Sequence, residues 1–204
     1  MTKIESYKKE SVYNIITQNY NWIVVNNVVV STSLNFFNIS DDIELSNDNI
    51  DINDKINQRE NENIEFKESF KWDIKEKKVN KVLPKMVTKS ICAFSNSNGG
   101  KMFIGVRDDD KKIMGIDNDI KNIYKNTDKF EQDVCIKIRE DLGQGVVYTS
   151  KIVKIEDKLI YYIDVKPSKQ AVYFVNREYF VRRGTSNHNC NPKEASEHKS
   201  NRYY

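Results

Sequence analysis

The sequence predicts an α+β protein in which a mixed sheet packs with two main helices, preceded by a small N-terminal helix–strand extension. Two segments repeat apolar residues at helical spacing, and short Val-, Ile- and Tyr-rich runs between them are typical of strands. All seven glycines fall between Gly99 and Gly184, which concentrates tight turns in the second part of the chain. A chain of 204 residues with 38% hydrophobic residues can bury a core around such a sheet.

The N-terminal extension is predicted over residues 1–37. Apolar residues in Glu5–Tyr20 have the spacing of an amphipathic helix, and Trp22–Phe37 is typical of a strand or hairpin. Residues 38–59 are acidic, rich in Asn and Asp, and carry isolated Ile residues that match neither the helix nor the strand period. We predict a flexible linker there.

The main domain is predicted over residues 60–190. Pro84 suits the first turn of a helix that Asn98-Gly99-Gly100 stops, and a second helix is expected at Asp128–Leu142. A polar, basic tail is expected over residues 191–204. Strands are predicted at Ile64–Ser69, Lys101–Val106, Val146–Ile155, Leu159–Val165, Val172–Val175 and Tyr179–Arg182, the last two as a hairpin joined at Asn176-Arg177.

Charge is distributed unevenly along the chain. Residues 1–63 hold 5 Lys+Arg and 10 Asp+Glu, a net of −5, whereas the remainder holds 28 and 20, a net of +8. A basic second part suits a polyanionic partner. No apolar run approaches the roughly 18 residues of a membrane span. The N-terminus lacks the pattern of a secretory signal, and three widely spaced cysteines fit reduced thiols, so we expect a cytoplasmic protein without membrane contact, a nuclear one being left open.

Four motifs occur in one order. They are Glu-x4-Glu-Phe-Lys at Glu60–Lys67, Ala-Phe-x-Asn-x-x-Gly-Gly at Ala93–Gly100, Ile-Gly-Val-x-Asp-Asp at Ile104–Asp109, and Phe-x-Arg-x-Gly-x-Ser at Phe180–Ser186. Together they resemble the Alba-like domain of Schlafen proteins, over about Glu60 to Asn187. The resemblance implies an Alba-like fold and nucleic-acid binding.

The resemblance also implies a set of catalytic, metal-binding acids. Schlafen ribonucleases use two glutamates of the first motif and the first aspartate of the third, which match Glu60, Glu65 and Asp108 here. Hard oxygen ligands suit Mg²⁺ or Mn²⁺, so either ion is the cofactor expected of a nuclease. Glu60 and Glu65 would face opposite sides of an unbroken strand, so the set requires a bend near Asn63. Glu62 is an alternative to Glu60.

The last predicted strand ends in a basic and polar cluster. Guanidinium, hydroxyl and ammonium groups suit phosphate oxygens, and residues 166–204 hold 8 Lys+Arg against 3 Asp+Glu. The neighbouring aromatic residues Tyr173, Phe174, Tyr179 and Phe180 are predicted to be core. The nucleic-acid-binding residues predicted from this cluster are Lys166, Lys169, Arg182, Arg183, Thr185 and Ser186.

Three functions remain open at this stage: a nucleic-acid-binding protein, with tRNA-like RNA slightly favoured over DNA, a metal-dependent endoribonuclease, and a protein-interaction adaptor. Because Schlafen nucleases use two Alba-like lobes and one is visible here, a nuclease would require a partner, most simply a homodimer. The sequence has no GxxxxGK[ST] loop, so no ATP site is predicted. His188, Cys190 and His198 match no zinc-finger spacing, and a polar tail is the preferred interpretation.

Overall fold

The computed structural model describes residues 13–16, 21–25, 28–31, 52, 54–155 and 157–203. The chain divides into two compact units, residues 1–51 and 52–204. In the first, strands β1 (Tyr13–Ile16), β2 (Asn21–Val25) and β3 (Val28–Ser31) form an antiparallel sheet in the order β1-β2-β3. The prediction of strand or hairpin after Trp22 is therefore confirmed as far as Ser31.

The helix predicted at Glu5–Tyr20 is wrong for its described part, because Tyr13–Ile16 is a strand paired antiparallel with β2. Tyr and Ile favour extended backbone, and pairing with a neighbouring strand satisfies the backbone polar groups that a helix would otherwise satisfy. The rest of that segment lies outside the described residues, as does the predicted linker up to residue 51.

The second unit is built on a four-stranded mixed sheet in the order β4-β7-β9-β8. Strands β4 (Ile64–Lys67) and β7 (Gly100–Ile104) are parallel, whereas β8 (Tyr148–Ile155) and β9 (Lys158–Val165) pair antiparallel. A small hairpin, β5 (Trp72–Asp73) with β6 (Lys78–Val79), follows β4. The mixed sheet confirms the predicted fold class.

Helices α1 (Val82–Ser95) and α2 (Thr127–Leu142) match the two predicted helices. Their apolar stripes, Ile91 on α1 and Phe130 on α2 among them, pack with Met102 and Ile104 of β7 in the larger core. Phe103, between those two, points to the other face of the sheet, as strand alternation requires. None of the described helices combines the length and apolarity needed to cross a membrane.

Residues from the end of the predicted linker cover the second face of the sheet. Residues 52 and 54–56 are helical, and Ile52 and Ile56 are 2% and 3% exposed against Phe66 and Phe103. The flexible-linker prediction is therefore wrong at this end. The two Ile side chains, four positions apart, share one helical face, a spacing too short to give a clear period in sequence.

The C-terminal part differs most from prediction. Val172–Val175 forms no strand: Phe174 and Glu178 make one isolated bridge around a 3₁₀ turn at Val175–Arg177. The hairpin is instead β10 (Phe180–Arg183) with β11 (Ser186–Asn189), turning at Gly184 and Thr185. The predicted tail is a helix, α3 (Pro192–Tyr203). Its polar sequence carries little amphipathic pattern, so it was not identified as helical.

Gly105 stands where two backbone segments meet. Its φ is +104°, and an added Cβ would lie 3.0 Å from the carbonyl carbon of Gly115. The conformation and the contact both require glycine. Gly105 therefore allows the backbone of Gly115 to approach β7 closely.

Candidate functional site

A tight turn just before β4 positions Glu60. The backbone N–H groups of Asn61 and Ile64 each donate to the other's carbonyl oxygen, at 3.3 and 3.4 Å, and Glu62 and Asn63 form the turn between them. The chain thereby reverses, and Glu60 Oε1 accepts a 2.8 Å hydrogen bond from the backbone N–H of Phe66. The bend that the odd spacing of Glu60 and Glu65 requires is present.

Glu65 lies on the face of the sheet that α1 covers, and its side chain is 6% exposed. Its Oε2 is 2.6 Å from Nη1 of Arg182, and its Oε1 pairs with Lys67 and accepts a 3.2 Å hydrogen bond from the Ser90 hydroxyl. Two cations and one hydroxyl therefore surround this carboxylate. A metal ion would have to displace at least one of them to reach Glu65.

Arg182 is the more deeply buried member of this pair, with a side chain that is 1% exposed. Nη1 also donates to Asn187 Oδ1 at 2.9 Å, and Nη2 donates to the carbonyl oxygens of Asn61 and Ile64 at 2.9 and 3.3 Å. The guanidinium also lies 5.0 Å from the ring of Phe94. Arg182, predicted to contact phosphate, thus does not present its charge to solvent but joins the hairpin to β4 and to the turn before it.

The other two predicted acids line one open groove of about 580 Å³, which we call the acidic groove. Asp108 lies in the exposed turn after β7, and its Oδ1 pairs with Lys111 at 2.8 Å. Burial raises the pKa of the Glu60 carboxyl, and the nearby carboxylates of Glu65 and Asp108 raise it further, against the Phe66 N–H and Lys67. The charged residues of the groove are Arg59, Glu60, Asp108, Asp109, Asp110 and Lys111.

The structure brings the three predicted acids into one neighbourhood without closing them into one cluster. Within the part of the chain that is described, the only set of three potential ligand atoms within 4.8 Å of one another lies elsewhere, at the start of α3. The oxygen donors of Glu60 and Asp108 suit Mg²⁺ or Mn²⁺. Glu65 is held beside them by Arg182.

A second groove, of about 460 Å³, lies between α3 and the segment from Lys169 to Tyr173; we call it the basic groove. Tyr173 is 40% exposed, and Lys199 Nζ lies 3.1 Å from its hydroxyl and 5.6 Å from its ring centroid. No carboxylate is among the described residues that line this groove. The polar residues that line the basic groove are Lys169, Gln170, Tyr173, Ser196, Lys199, Ser200 and Tyr203.

Sequence reasoning found Lys169 and missed the α3 side of the basic groove. Ser196, Lys199 and Ser200 lie three and four positions apart, so they share a helical face once α3 is recognised. The available signal was Asn191-Pro192-Lys193-Glu194, a helix N-cap followed by proline and by a glutamate that closes a capping box.

The remaining predicted contacts are exposed but dispersed. Lys166 pairs with Asp164 at 2.7 Å, and Arg183 lies 3.7 Å from Glu194. Thr185 lines the acidic groove, and Ser186 is exposed at the start of β11. As predicted, Phe174, Tyr179 and Phe180 are buried, whereas Tyr173 is not.

Comparisons with known proteins agree with the fold and the motifs. The chain is 30% identical over 111 residues to UU034 of Ureaplasma parvum serovar 3, described as an uncharacterized ATP-binding protein, and the match spans 53% of this chain and 29% of that protein. Among solved structures it resembles the DIP2311 protein from Corynebacterium diphtheriae, with a TM-score of 0.51, 14% identity, and coverage of 70% of this chain and 28% of the other. That likeness shows the fold alone.

The family comparison covers most of the second unit. The sequence model described as "Schlafen, AlbA_2" matches residues 60–191. This range includes all four motifs and the β10–β11 hairpin. It also includes Glu60, Asp108 and Thr185 of the acidic groove, and Lys169 and Tyr173 of the basic groove. This chain belongs to the Schlafen, AlbA_2 family.

Proposed function

We propose that this chain binds nucleic acid, and RNA in preference to DNA, through the basic groove. The observation that carries the proposal is the composition of that groove: two lysines and four hydroxyl groups, with no carboxylate among its described lining. Ammonium and hydroxyl groups are the usual donors to phosphate oxygens. Membership of the Schlafen, AlbA_2 family supports the same partner class.

The preference for RNA rests on Tyr173. This residue is 40% exposed at the groove, next to the ammonium group of Lys199. An exposed aromatic ring offers a stacking surface to an unpaired base, and single-stranded loops with unpaired bases are the features that proteins most often read in RNA. Duplex DNA keeps its bases stacked and offers Tyr173 no such contact.

The test is a binding titration of tRNA, single-stranded RNA and duplex DNA, followed by fluorescence anisotropy. Replacing both Lys169 and Lys199 with Ala should weaken RNA binding about tenfold at 100 mM salt and should lower the slope of log affinity against log salt by roughly 1.4, the value for two lost phosphate contacts with a single strand. Lys129→Ala, an exposed lysine on α2 outside the groove, is the matched control. Equal losses in the variant and the control would overturn the proposal, and a chain that binds no nucleic acid would favour the adaptor function.

A second candidate is metal-dependent RNA cleavage at the acidic groove. The observation that favours it is the placement of Glu60 and Asp108 on one groove, close enough for Asp108 to raise the pKa of Glu60. These two carboxylates would hold Mg²⁺ or Mn²⁺, which supplies an activated water and stabilises charge on the phosphate. Glu65 would join them only on release from Arg182, and a homodimer would supply the second lobe.

This candidate has its own test. Glu60→Gln and Asp108→Asn should each reduce Mn²⁺-dependent cleavage of tRNA by about 100-fold or more, because each removes a charged metal ligand, while RNA affinity stays unchanged. Glu62→Gln, an exposed glutamate in the adjoining turn, should retain full cleavage. If the protein leaves tRNA intact with every divalent metal ion, as monomer and dimer, the candidate fails and the binding function stands.

A further inference from the structure

Three side chains capable of binding a transition-metal ion meet where β11 ends and α3 begins. Ligand atoms of His188, Cys190 and Glu194 all lie within 4.8 Å of one another. His188 and Cys190 are two positions apart in extended chain, so they point to the same side. His198, the third residue of the sequence-based interpretation, instead lies 3.0 Å from the hydroxyl of Tyr179.

The backbone fixes the first two ligands. His188 is paired with Val181 in the β10–β11 ladder, and the backbone N–H of Cys190 donates to the carbonyl oxygen of Tyr179 at 2.9 Å, extending that ladder. Neither residue therefore needs to move in order to face the other. The two ligands are held at the edge of a regular hairpin, which limits the entropy lost when an ion binds.

A capping box fixes the third ligand. The backbone N–H of Glu194 donates to Asn191 Oδ1 at 3.0 Å, and Glu194 Oε2 accepts from the backbone N–H of Asn191 at 2.9 Å. The same oxygen lies 3.0 Å from His188 Nε2. Arg183 lies 3.7 Å from the other oxygen, Oε1, so Oε2 remains directed at the histidine. The hydrogen bond from Asn191 and the contact with His188 lower the pKa of Glu194, which keeps it ionised.

We propose that His188, Cys190 and Glu194 bind Zn²⁺ in this protein. Nitrogen, sulfur and carboxylate oxygen are the three donor types that zinc takes in proteins, and three protein ligands leave the fourth tetrahedral position to water. One thiolate and one carboxylate balance the charge of the ion. Zinc displaces the thiol proton of Cys190 and takes the place of the hydrogen bond between His188 and Glu194.

The place of this site in the fold gives the ion a structural task. The core beneath α3 is small, with only Tyr179, Val181 and Ala195 buried in it among the described residues. An ion bound by a strand residue, a loop residue and the first turn of α3 would cross-link the helix to the hairpin where apolar packing is thinnest. Because Ser196, Lys199 and Ser200 of the basic groove lie on α3, zinc would also hold one wall of that groove in place.

The test uses the full, tag-free chain stripped of metal and titrated with Co²⁺. A bound thiolate gives a sulfur-to-cobalt charge-transfer band in the near ultraviolet, and tetrahedral Co²⁺ gives strong visible bands, both of which Zn²⁺ should abolish by competition. Cys190→Ser should remove the charge-transfer band, whereas Cys135→Ser, an exposed cysteine on α2, should keep it. Glu194→Gln preserves the shape of the capping box and should keep the band while weakening Co²⁺ binding by more than the roughly 10- to 100-fold effect of losing an outer-shell partner.

Thermal unfolding supplies a second measurement. Zn²⁺ should raise the Tm of the wild-type chain and of Cys135→Ser, and should leave the Tm of Cys190→Ser unchanged, because a ligand that binds only the folded state stabilises it. A wild-type chain that shows no charge-transfer band, or a band that persists in Cys190→Ser, would overturn the proposal. These results do not depend on nucleic-acid binding, so failure here leaves the proposed function untouched.

Discussion

At the scale of single residues, the ion pair between Arg182 and Glu65 has the greatest structural consequence. It joins a strand near the start of the domain to a hairpin near its end, and both side chains are almost wholly buried. Removing one member of a buried pair leaves the other charged without a partner. We therefore expect Arg182→Ala to lower the free energy of unfolding by about 3–5 kcal/mol.

Urea denaturation followed by circular dichroism measures this loss. Arg183→Ala is the control, because that side chain is 57% exposed, and we expect a change within about 0.5 kcal/mol. If Arg182→Ala instead kept its stability and lost RNA binding, the phosphate role predicted from the motif would hold.

Glu60 should make the stability of the folded protein fall as pH rises, which is opposite to the effect of an acid whose pKa is lowered by folding. Burial raises the pKa of its carboxyl in the folded state, so the folded protein holds this proton more tightly than the unfolded chain. The resulting stability is fully present below the unfolded pKa and is lost as pH rises through the raised folded pKa. Glu60→Gln, which keeps an oxygen for the Phe66 N–H, should therefore gain stability relative to wild type between pH 4 and pH 7.

Urea midpoints measured for both proteins across that pH range check this expectation, with Glu62→Gln as the exposed control. A stability difference between Glu60→Gln and wild type that does not change with pH would show that Glu60 titrates normally. A gain in stability on loss of the carboxylate would also fit a side chain placed for chemistry, since functional acids are commonly held in unfavourable surroundings.

The sequence could indicate the identity of the important residues better than their roles. The motifs picked out Glu60, Glu65, Asp108 and Arg182, and all four lie in one region of the structure. The burial of Arg182 was not predicted, because its partner is more than a hundred positions away. Strand alternation held a clue, since Arg182 is two residues after the buried Phe180 and shares its side of β10.

At the scale of elements, the short helical segment before Glu60 should contribute more to stability than its acidic, polar composition suggests. Ile52 and Ile56 cover the face of the sheet opposite α1 and α2, in contact with the second core. Ile56→Ala should cost about 2–5 kcal/mol through lost burial and the cavity left behind. Ile136→Ala on α2, where the side chain is 42% exposed, should cost much less. Chemical denaturation compares the two, and equal small losses would mean that the segment is not part of the folded unit.

Elements with strong local signals were predicted closely, and those without were not. Helix α2 begins one residue before its predicted start and ends where expected. Its apolar residues repeat every four positions, and Asn126 caps its N-terminus, so both the helix and its ends have a local signal. The polar strand β11 has no such pattern. The sequence therefore predicted a hairpin between Val172–Val175 and β10, whereas β10 pairs with β11. Pairing between β10 and β11 depends on a turn at Gly184 and on packing against α1, which local sequence does not show.

At the scale of the whole molecule, the charge is divided between the two compact units. Residues 1–51 hold 3 Lys+Arg and 7 Asp+Glu, a net of −4, so residues 52–204 hold 30 and 23, a net of +7, which together give the +3 of the chain. Both grooves and all the predicted nucleic-acid contacts lie in the basic unit. The acidic unit therefore opposes polyanion binding through its overall charge, wherever it lies.

This division predicts the effect of removing the first unit. A fragment of residues 52–204 should bind RNA more tightly than the full chain at 50 mM salt, by roughly two- to tenfold, because its net charge rises from +3 to +7. At 300 mM salt the difference should shrink towards zero, since exposed charges are screened beyond a few ångströms at high ionic strength. Anisotropy titrations of both proteins at the two salt concentrations measure this. If the full chain bound more tightly at both, residues 1–51 would contribute direct contacts that outweigh their charge, and the RNA-binding surface would extend beyond residues 52–204.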